Sequence, residues 1–416
     1  MELEKLAGIL LPQRSVRRIV CVVGTRPEAI KMAPVIRRLK KQPWCECSVL
    51  CTAQHRELLD QVLELFGIAP DVDFGVMQPN QTLSGLTARL VDKFDEVLTR
   101  VRPDAVLAQG DTTTSMAAAL CSFYHKLPFG HVEAGLRTGN LYAPFPEEMN
   151  RLMAARIARW HFAPTEEARV NLLKEGVAPE SVHVTGNTVI DALFQVALQW
   201  SETPAPSERR LVLVTAHRRE NFGPPLEQVC RAIRHLADTR VDIEFLYPVH
   251  PNPNVRKVVG KALGSHPRIR LAEPLDYKAF VNAMKQSYFI LTDSGGVQEE
   301  APALAKPVLV LREETERPEA VAAGVVRLVG TDFEKIVAES TRLLDDPAYY
   351  ASMAHGASPY GDGRAAERIV ELLKQGLGVA PEQEKQEQPE PAVPLYQVQP
   401  IAEPLSLSAA GAMLKA

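Results

Sequence analysis

The feature of this sequence that most restricts its fold is the alternation of short apolar runs with longer segments of helical character. Runs such as RRIVCVVGT (17–25) and RLVLVTAH (210–217) are apolar almost throughout and rich in β-branched residues. The segment after the first run, PEAIKMAPVIRRLKK, instead repeats apolar residues at helical spacing. Strands that are apolar on both faces and separated by helices are typical of parallel sheets covered on both sides. The sequence therefore predicts an α/β fold.

The alternation occurs in two sets, and 416 residues are too many for one ordinary core. We therefore expect two doubly wound, Rossmann-like domains that face each other across a cleft. The seam lies where TGNTVIDALFQVALQW runs into a Pro/Ser/Glu-rich connection. The predicted domains are residues 17–186 and 187–358, with a last helix at about 359–376 that crosses back to the first domain. Residues 377–416 are rich in Pro, Glu and Gln, which predicts a disordered tail.

Composition excludes several classes of partner. The formal net charge is −4, which gives no electrostatic reason to expect nucleic acid or an anionic membrane. No apolar run approaches the length of a membrane span, and the start of the chain lacks the pattern of an export signal. We therefore expect a cytoplasmic protein.

Cys45, Cys47 and Cys51 lie close together but lack the paired spacing of a zinc site, so reduced thiols are expected and no metal.

Polar motifs follow the predicted strands, where open α/β sheets bind their ligands. The motifs are GTRPE, QGDTTT and HVEAGLR in the first set, and TAHRREN, YPVHPNP and TDSGGVQEE in the second. Each motif taken alone could be a helix cap, because Asp, Ser, Thr and Gly are common at that position. Several such motifs at one cleft between two domains indicate a ligand-binding site instead.

The TDSGGVQEE motif predicts an anion site. Ser294, Gly295 and Gly296 follow a buried strand and open a helix, so unpaired backbone N–H groups and the helix dipole favour a phosphate there. Glu300 lies one turn further on, where its carboxylate could accept a ribose hydroxyl proton. The sequence has neither the P-loop pattern nor a dinucleotide GxGxxG after its first strand. The alternative is a plain helix cap.

Basic residues could hold the other side of a diphosphate. Arg26 and Lys31 lie in GTRPEAIK, where Pro27 suits the first helical turn and leaves the amides there available. Arg312 and Arg317 are further candidates, although both could instead pair with nearby glutamates.

Three acids exceed what a diphosphate site needs: Asp111, Glu133 and Glu147. We interpret them as proton-transfer groups, with His217 as a donor or electrostatic partner. Crowding or apolar surroundings would raise their pKa values, as an acid at neutral pH requires.

The acids also have a structural interpretation. Glu147 or Glu148 could cap the following helix, and Asp111 its own. We expect Glu148 to be the capping or pairing residue, with Arg151 on the same face, and the prolines of PFP to hold Glu147 in place.

Together these motifs resemble the non-hydrolysing UDP-N-acetylglucosamine 2-epimerases, over roughly residues 17–372. The shared stretches, in the family's order, are GTRPEAIKMAPVI, TAQHRELLDQVL, QGDTTT, HVEAGLRTGN, PFPEEMNR, TGNTVID, TAHRREN, YPVHPNPNVR, LTDSGGVQEEAP and ERPEAVAAG. The resemblance implies a glycosyltransferase-B-like fold, a UDP-sugar in the cleft, no cofactor and a homodimer.

Residue roles also follow from the resemblance. It implies Asp111, Glu133 and Glu147 as catalytic carboxylates. It implies a second UDP-N-acetylglucosamine as activator near Gln54 and His55. The implied nucleotide and diphosphate contacts are Arg26, Lys31, His217, Leu275, Phe280, Ser294, Gly295, Gly296, Glu300 and Arg317. Among them, Leu275 and Phe280 would flank uracil; without the resemblance, both would be taken as core residues.

The implied reaction is reversible epimerisation at C2 by loss and re-addition of UDP through a 2-acetamidoglucal, supplying precursors of cell-surface polysaccharide. Which carboxylate is base and which is acid stays open. Two departures from the family pattern are Ala305, usually glycine, and Glu314, commonly threonine. The alternatives are a related substrate such as a UDP-2,3-diacetamido-uronic acid, a hydrolysing 2-epimerase, a glycosyltransferase and a UDP-sugar sensor without turnover.

Overall fold

The computed structural model describes residues 16–52, 56–77, 81–199, 209–356 and 358–379. The predicted activator residues Gln54 and His55 lie outside the described residues, as does the predicted tail from residue 380 onward. No helix within the described residues is both long and apolar enough to cross a membrane.

Within those residues, the first sheet has seven strands, all parallel, in the order β3-β2-β1-β4-β5-β6-β7. Their bounds are β1 Arg17–Val23, β2 Cys45–Cys51, β3 Val72–Asp73, β4 Ala105–Gln109, β5 Phe129–Val132, β6 Trp160–Ala163 and β7 Val182–Val184.

The second sheet has six strands in the described part of the chain, again all parallel, in the order β10-β9-β8-β11-β12-β13. Their bounds are β8 Arg210–Thr215, β9 Ile243–Pro248, β10 Ile269–Ala272, β11 Ser287–Thr292, β12 Val308–Val310 and β13 Val326–Leu328. The predicted α/β fold with two doubly wound sheets is confirmed.

Helices connect the strands. The described residues form α1 Arg26–Lys40, α2 Arg56–Leu65, α3 Leu83–Val101, α4 Thr113–Tyr124, α5 Glu147–Ile157, α6 Glu166–Lys174, α7 Thr188–Gln199, α8 Pro224–Thr239, α9 Pro253–Leu263, α10 Tyr277–Gln286, α11 Gly295–Ala303, α12 Pro318–Ala322, α13 Phe333–Asp345, α14 Pro347–Met353 and α15 Ala365–Gly376.

Burial explains which strands the sequence predicts. Every residue of β4 is buried, as are the last four of β8, because helices cover both faces of each sheet. The sequence analysis missed β3 and β7, which have two and three residues. Neither strand lies in an apolar run, because β3 is Val-Asp and β7 is Val-His-Val, and both lie at sheet edges.

One continuous apolar core extends from the first sheet to the second. It includes Ile36 of α1, Leu193 of α7, Met284 of α10, Val297 of α11 and Leu373 of α15. Helix α15 packs against α1 and α7, although it follows the second sheet in sequence. The two sheets are therefore joined by shared buried side chains as well as by the chain itself.

Both sheets reverse their strand order once, between β1 and β4 and between β8 and β11. Neighbouring connections run to opposite sides of the sheet at such a point and leave a crevice beyond the strand ends. The predicted motifs GTRPE, QGDTTT, TAHRREN and TDSGG follow these four strands.

Candidate functional site

The loop after β1 is fixed by a buried glutamate. Thr25 caps α1, and the carboxylate of Glu28 accepts hydrogen bonds from the backbone N–H groups of Gly24 and Thr25, at 2.8 and 2.6 Å. Thr112 donates to the same carboxylate at 2.5 Å, which ties this loop to the one after β4. Arg26, at the first position of α1, is exposed. The capping box therefore presents Arg26 at the first switch point.

Glu133 is held by three donors. It follows β5 with a φ of +63°, a left-handed conformation that is uncommon for a residue with a side chain. The residue is 9% exposed, and its carboxylate contacts the Lys31 ammonium and the Gln109 side-chain amide. The amide of Asn187 donates to it at 2.8 Å.

Charge decides the protonation state of Glu133. Burial acts to raise its pKa, but Lys31 and then Arg317 outweigh burial and hold the pKa below its usual value. Burial likewise acts to lower the pKa of Lys31, and the Glu133 carboxylate raises it above the usual range. The expectation of a raised pKa is therefore wrong at Glu133, which is an ionised carboxylate paired with an ammonium group.

Asp111 lies at the end of β4 in a braced loop. Arg151 donates to its carboxylate at 2.5 Å, and the Asn150 side-chain amide donates to its carbonyl oxygen at 2.9 Å. The ring of His131 hydrogen-bonds the carbonyl oxygen of Gly110 at 2.7 Å, so its Nε2 carries the proton. Burial lowers the pKa of His131 to about 4, which keeps this ring neutral. Asp111 itself stays half-buried and within reach of a ligand.

The two glutamates after PFP have different surroundings. Glu148 is buried, accepts hydrogen bonds from the backbone N–H groups of Thr138 and Gly139 and pairs with Arg151 at 3.2 Å. The prediction that Glu148 is the pairing residue is confirmed. Glu147 begins α5 and is half-buried, and its side chain has no hydrogen bond or ion pair to any described residue.

His217 is positioned by an aspartate that the sequence analysis did not single out. The backbone N–H groups of His217 and Arg218 donate to one carboxylate oxygen of Asp293, both at 2.8 Å. Nδ1 of His217 lies 3.3 Å from the other oxygen. Asp293 is fully buried, and the ring of His250 stacks on His217 with centroids 5.4 Å apart. His217 is half-buried at the second switch point.

The Ser-Gly-Gly turn has room for a ligand. The Ser294 side chain makes no capping hydrogen bond, although Ser294 precedes α11, so the plain-cap alternative is not supported. A Cβ at Gly295 or Gly296 would meet no atom closer than 3.7 Å. The described residues therefore do not require glycine at either position, whereas a group bound against the backbone would.

Glu300 has a raised proton affinity. It is buried in α11 and accepts a hydrogen bond from the Tyr277 hydroxyl at 3.2 Å. Burial, with a smaller contribution from Glu299, raises its pKa to about 8. Glu300 is therefore mostly protonated at neutral pH and can donate a hydrogen bond as well as accept one.

The remaining predicted contacts are occupied or packed in this structure. Arg317 contacts the carboxylate of Glu299. This is the pairing with a nearby glutamate that the sequence left open as an alternative to a diphosphate contact. Arg312 pairs with Glu220 at 2.9 Å. Leu275 and Phe280 are partly buried against the continuous core, so a role beside a base would use only their exposed edges.

The structure brings five side chains into one largely buried group: Lys31, Glu133, Asn187, Glu299 and Arg317. Sequence analysis missed Asn187, Glu299, Gln109 and Asp293 as individual residues. All four lie inside motifs already quoted, and the position of these motifs after strands was the available signal.

Two Rossmann-like sheets with charged groups beyond their switch points define a two-domain α/β protein of glycosyltransferase-B-like architecture. Comparison with known proteins narrows this class. The sequence pattern of the family described as UDP-N-acetylglucosamine 2-epimerase matches residues 37–374.

Relatives and solved structures agree with that match. The chain is 52% identical over 369 residues to the UDP-N-acetylglucosamine 2-epimerase of Escherichia coli (strain K12), covering 86% of this chain and 98% of that one. It is 51% identical over 369 residues to the enzyme of the same name from Bacillus subtilis (strain 168), covering 88% and 97%. A crystal structure of the UDP-GlcNAc 2-epimerase from Neisseria meningitidis bound to UDP-GlcNAc superposes with a TM-score of 0.80 at 48% identity, covering 86% of this chain and 100% of that one. The chain belongs to the UDP-N-acetylglucosamine 2-epimerase family.

Proposed function

We propose that this protein interconverts UDP-N-acetylglucosamine and UDP-N-acetylmannosamine without hydrolysing them, as a source of precursors for cell-surface polysaccharide. The observation that carries the proposal is the ionised, buried carboxylate of Glu133, which follows β5 and contacts Gln109 at the end of β4, beside the first switch point. The open Ser-Gly-Gly turn follows β11 at the second switch point. Relatives at about half identity are named UDP-N-acetylglucosamine 2-epimerase, and a relative of known structure is described as bound to UDP-GlcNAc.

The first half of the proposed reaction is an elimination. The C1–oxygen bond breaks, and its electron pair leaves with UDP. Positive charge at C1 makes the neighbouring C2 hydrogen removable as a proton, which Glu133 takes because it is ionised. A C1–C2 double bond forms, and the products held in the cleft are UDP and 2-acetamidoglucal.

The second half reverses these steps with the opposite stereochemistry at C2. UDP adds to C1, and a carboxyl group on the other face of the sugar returns a proton to C2. We assign that delivery to Glu147, because its carboxyl group is free of partners in the described part of the chain, whereas Asp111 is paired with Arg151. Asp111 then orients the sugar. No hydride moves, so the reaction requires no redox cofactor.

The leaving diphosphate requires positive charge and backbone donors. We place it between Arg26 and the amides of Ser294, Gly295 and Gly296, where the first turn of α11 favours an anion. His217, anchored by Asp293, adds a donor at the same switch point. Lys31 and Arg317 add positive charge to the site, although both are paired with carboxylates in the group described above. Stabilisation of charge on the departing group is commonly a large part of catalysis.

The nucleoside end of the site follows from the remaining predicted contacts. Glu300 would bind the ribose hydroxyls, and its proton lets it donate to one of them. The exposed edges of Leu275 and Phe280 would flank uracil. We also propose the domain division at residues 186 and 187, from the alternation of strands and helices in the sequence. A homodimer and an activating second UDP-GlcNAc near Gln54 and His55 are proposed from the family resemblance.

Incubation with UDP-N-acetylglucosamine in deuterium oxide, followed by NMR, tests the proposal. We expect UDP-N-acetylmannosamine and deuterium at C2 of both sugars, with no free sugar released. Release of free N-acetylmannosamine would instead show the hydrolysing reaction. Turnover of a UDP-2,3-diacetamido-uronic acid alone would show a different substrate, and binding with neither conversion nor exchange would reject the enzyme.

A further inference from the structure

Asn187 lies where the chain leaves the first sheet. It follows β7 and immediately precedes α7, whose other end leads towards β8 of the second sheet. The residue is 2% exposed. Its side-chain nitrogen donates to Glu133 at 2.8 Å and to Glu299 at 3.2 Å. One amide group therefore bridges a carboxylate after the first sheet's β5 and a carboxylate on α11, which follows the second sheet's β11.

The orientation of this amide is fixed by its other contacts. The side-chain oxygen of Asn187 accepts a hydrogen bond from the backbone N–H of Val189 at 3.1 Å, inside the first turn of α7. The backbone N–H of Asn187 donates to the carbonyl oxygen of Tyr360 at 2.6 Å. With the oxygen committed to α7, both N–H bonds of the amide are directed at the two glutamates.

Each of the two carboxylates bridged by Asn187 is paired with its own cation. Glu133 has Lys31 as its cation, and Glu299 has Arg317. Glu299 is 2% exposed, so its charge is compensated by Arg317 and Asn187 rather than by water. The neutral amide between the two carboxylates lets them share a hydrogen-bond donor where direct contact would be repulsive.

The contacts also distinguish the two oxygens of Glu133. Oε1 accepts from both Lys31 and Asn187, while Oε2 accepts from Gln109 alone. A carboxylate oxygen has two lone pairs, so Oε1 is saturated and Oε2 keeps one free. Oε2 is therefore the atom of Glu133 that can receive a proton without breaking a hydrogen bond.

We propose that Asn187 is a positioning residue for the proposed epimerisation: it holds Glu133 with Oε2 free for the C2 proton and ties that carboxylate to Glu299 and Arg317 of the second sheet. This inference rests on the proposed function. The alternative is that Asn187 only caps α7.

The substitution Asn187→Asp separates the two roles. Aspartate keeps the side-chain oxygen that accepts from Val189, and it caps helices as well as asparagine does. It removes the donor to both glutamates and adds a like charge between them. We expect C2 deuterium exchange to slow by roughly ten- to hundredfold, the value of a hydrogen bond to a charged group. UDP affinity should change less than threefold, because the assigned diphosphate contacts are untouched.

A neutral variant keeps the test usable if Asn187→Asp does not fold. Asn187→Ser also retains an oxygen able to cap α7 and removes the amide donor without adding charge. The same loss of exchange with UDP binding retained supports the inference. Gln228→Glu, on α8, makes the same amide-to-carboxylate change away from both glutamates, keeps an oxygen for Arg231 and should exchange at the wild-type rate.

The outcomes separate this inference from the proposed function. Wild-type protein that fails to exchange deuterium at C2 overturns the proposed function. Wild-type protein that exchanges, together with Asn187→Asp and Asn187→Ser variants within twofold of it, overturns the positioning role. A capping role alone predicts that last result, since both variants keep the cap. A parallel fall in UDP affinity and exchange in both variants would also reject the inference, because it would show general loss of the site.

Discussion

At the scale of single residues, the protonation of each glutamate is decided by its immediate neighbours. Glu133 and Glu300 are both buried, yet their pKa values shift in opposite directions. Burial acts to raise both values, but Glu133 has Lys31 beside it, whereas Glu300 has Glu299. Glu133 is therefore unprotonated and available to accept a proton, whereas Glu300 holds one.

The base assignment makes a direct prediction. We expect Glu133→Gln to bind UDP but to lose C2 exchange by roughly a hundredfold or more, the usual cost of removing a general base. Glu147→Gln should also bind UDP and lose the exchange needed to complete epimerisation. Glu175→Gln, which breaks the ion pair with Arg137 away from the site, serves as control and should keep full activity. Near-normal exchange in both site variants would defeat the assignment.

The Glu300 pKa predicts how stability depends on pH. Its folded-state pKa of about 8 lies above the ordinary 4.5, so the folded protein binds this proton more tightly than the unfolded chain. The contribution of Glu300 to stability is then full below about pH 4.5 and is lost as pH rises towards 8. Glu300→Gln should therefore raise the melting temperature, relative to wild type, more at pH 8.5 than at pH 5. A difference that does not change with pH would contradict the shift.

Ala305, where the family usually has glycine, has a backbone conformation that favours glycine. It has a φ of +56° just after α11, in the left-handed region that favours glycine. An L-residue loses about 1–2 kcal/mol there, partly offset by about 0.4–1 kcal/mol from the stiffer unfolded chain. Ala305→Gly should therefore raise the free energy of unfolding by up to about 1.6 kcal/mol in urea titration. Ala303→Gly, at the last helical position of α11, is the matched control and should lower it.

At the scale of elements, helix α15 packs back onto the helices of the first sheet. The buried face of α15 contributes Ile369, Val370 and Leu373 to the core shared with α1 and α7. Its first turn donates backbone N–H groups to Asp191 of α7, at 3.1 and 2.9 Å. A helix late in the sequence thus stabilises the segment that joins the two sheets.

Two truncations distinguish this helix from the chain that follows it. A protein ending at residue 379 keeps every contact of α15 described above, so turnover and melting temperature should match those of the full chain. A protein ending at residue 364 loses α15 and exposes the apolar surface of α1 and α7, so it should aggregate or melt at a much lower temperature. Loss of turnover in the longer truncation would show that residues 380–416 take part in function.

At the scale of the whole molecule, contacts between the two halves surround the proposed site. Glu319, just ahead of β13, accepts a hydrogen bond from Thr165 after β6 at 2.9 Å. Phe66, after α2, lies with its ring centroid 6.5 Å from that of Tyr277 in α10. These links, with the bridge at Asn187, connect the two halves of the protein at several points.

The predicted assembly can be checked on the same scale. Light scattering during gel filtration should give twice the 45.8 kDa mass of the chain, as the resemblance to a family of homodimers implies. A single-chain mass at micromolar concentration would reject the homodimer.

The sequence by itself determined the α/β class, the pairing of strands with helices and the motifs that carry the site, because these depend on local periodicity and on residue types next to strand ends. The edge strands β3 and β7 were beyond it, since neither lies in an apolar run. Tertiary structure alone decided which charges meet. Lys31 and Glu133 are about a hundred residues apart in the chain, as are Asn187 and Glu299. The pKa of a buried carboxylate depends on such distant neighbours, so only the folded chain could show that Glu133 is ionised and Glu300 protonated.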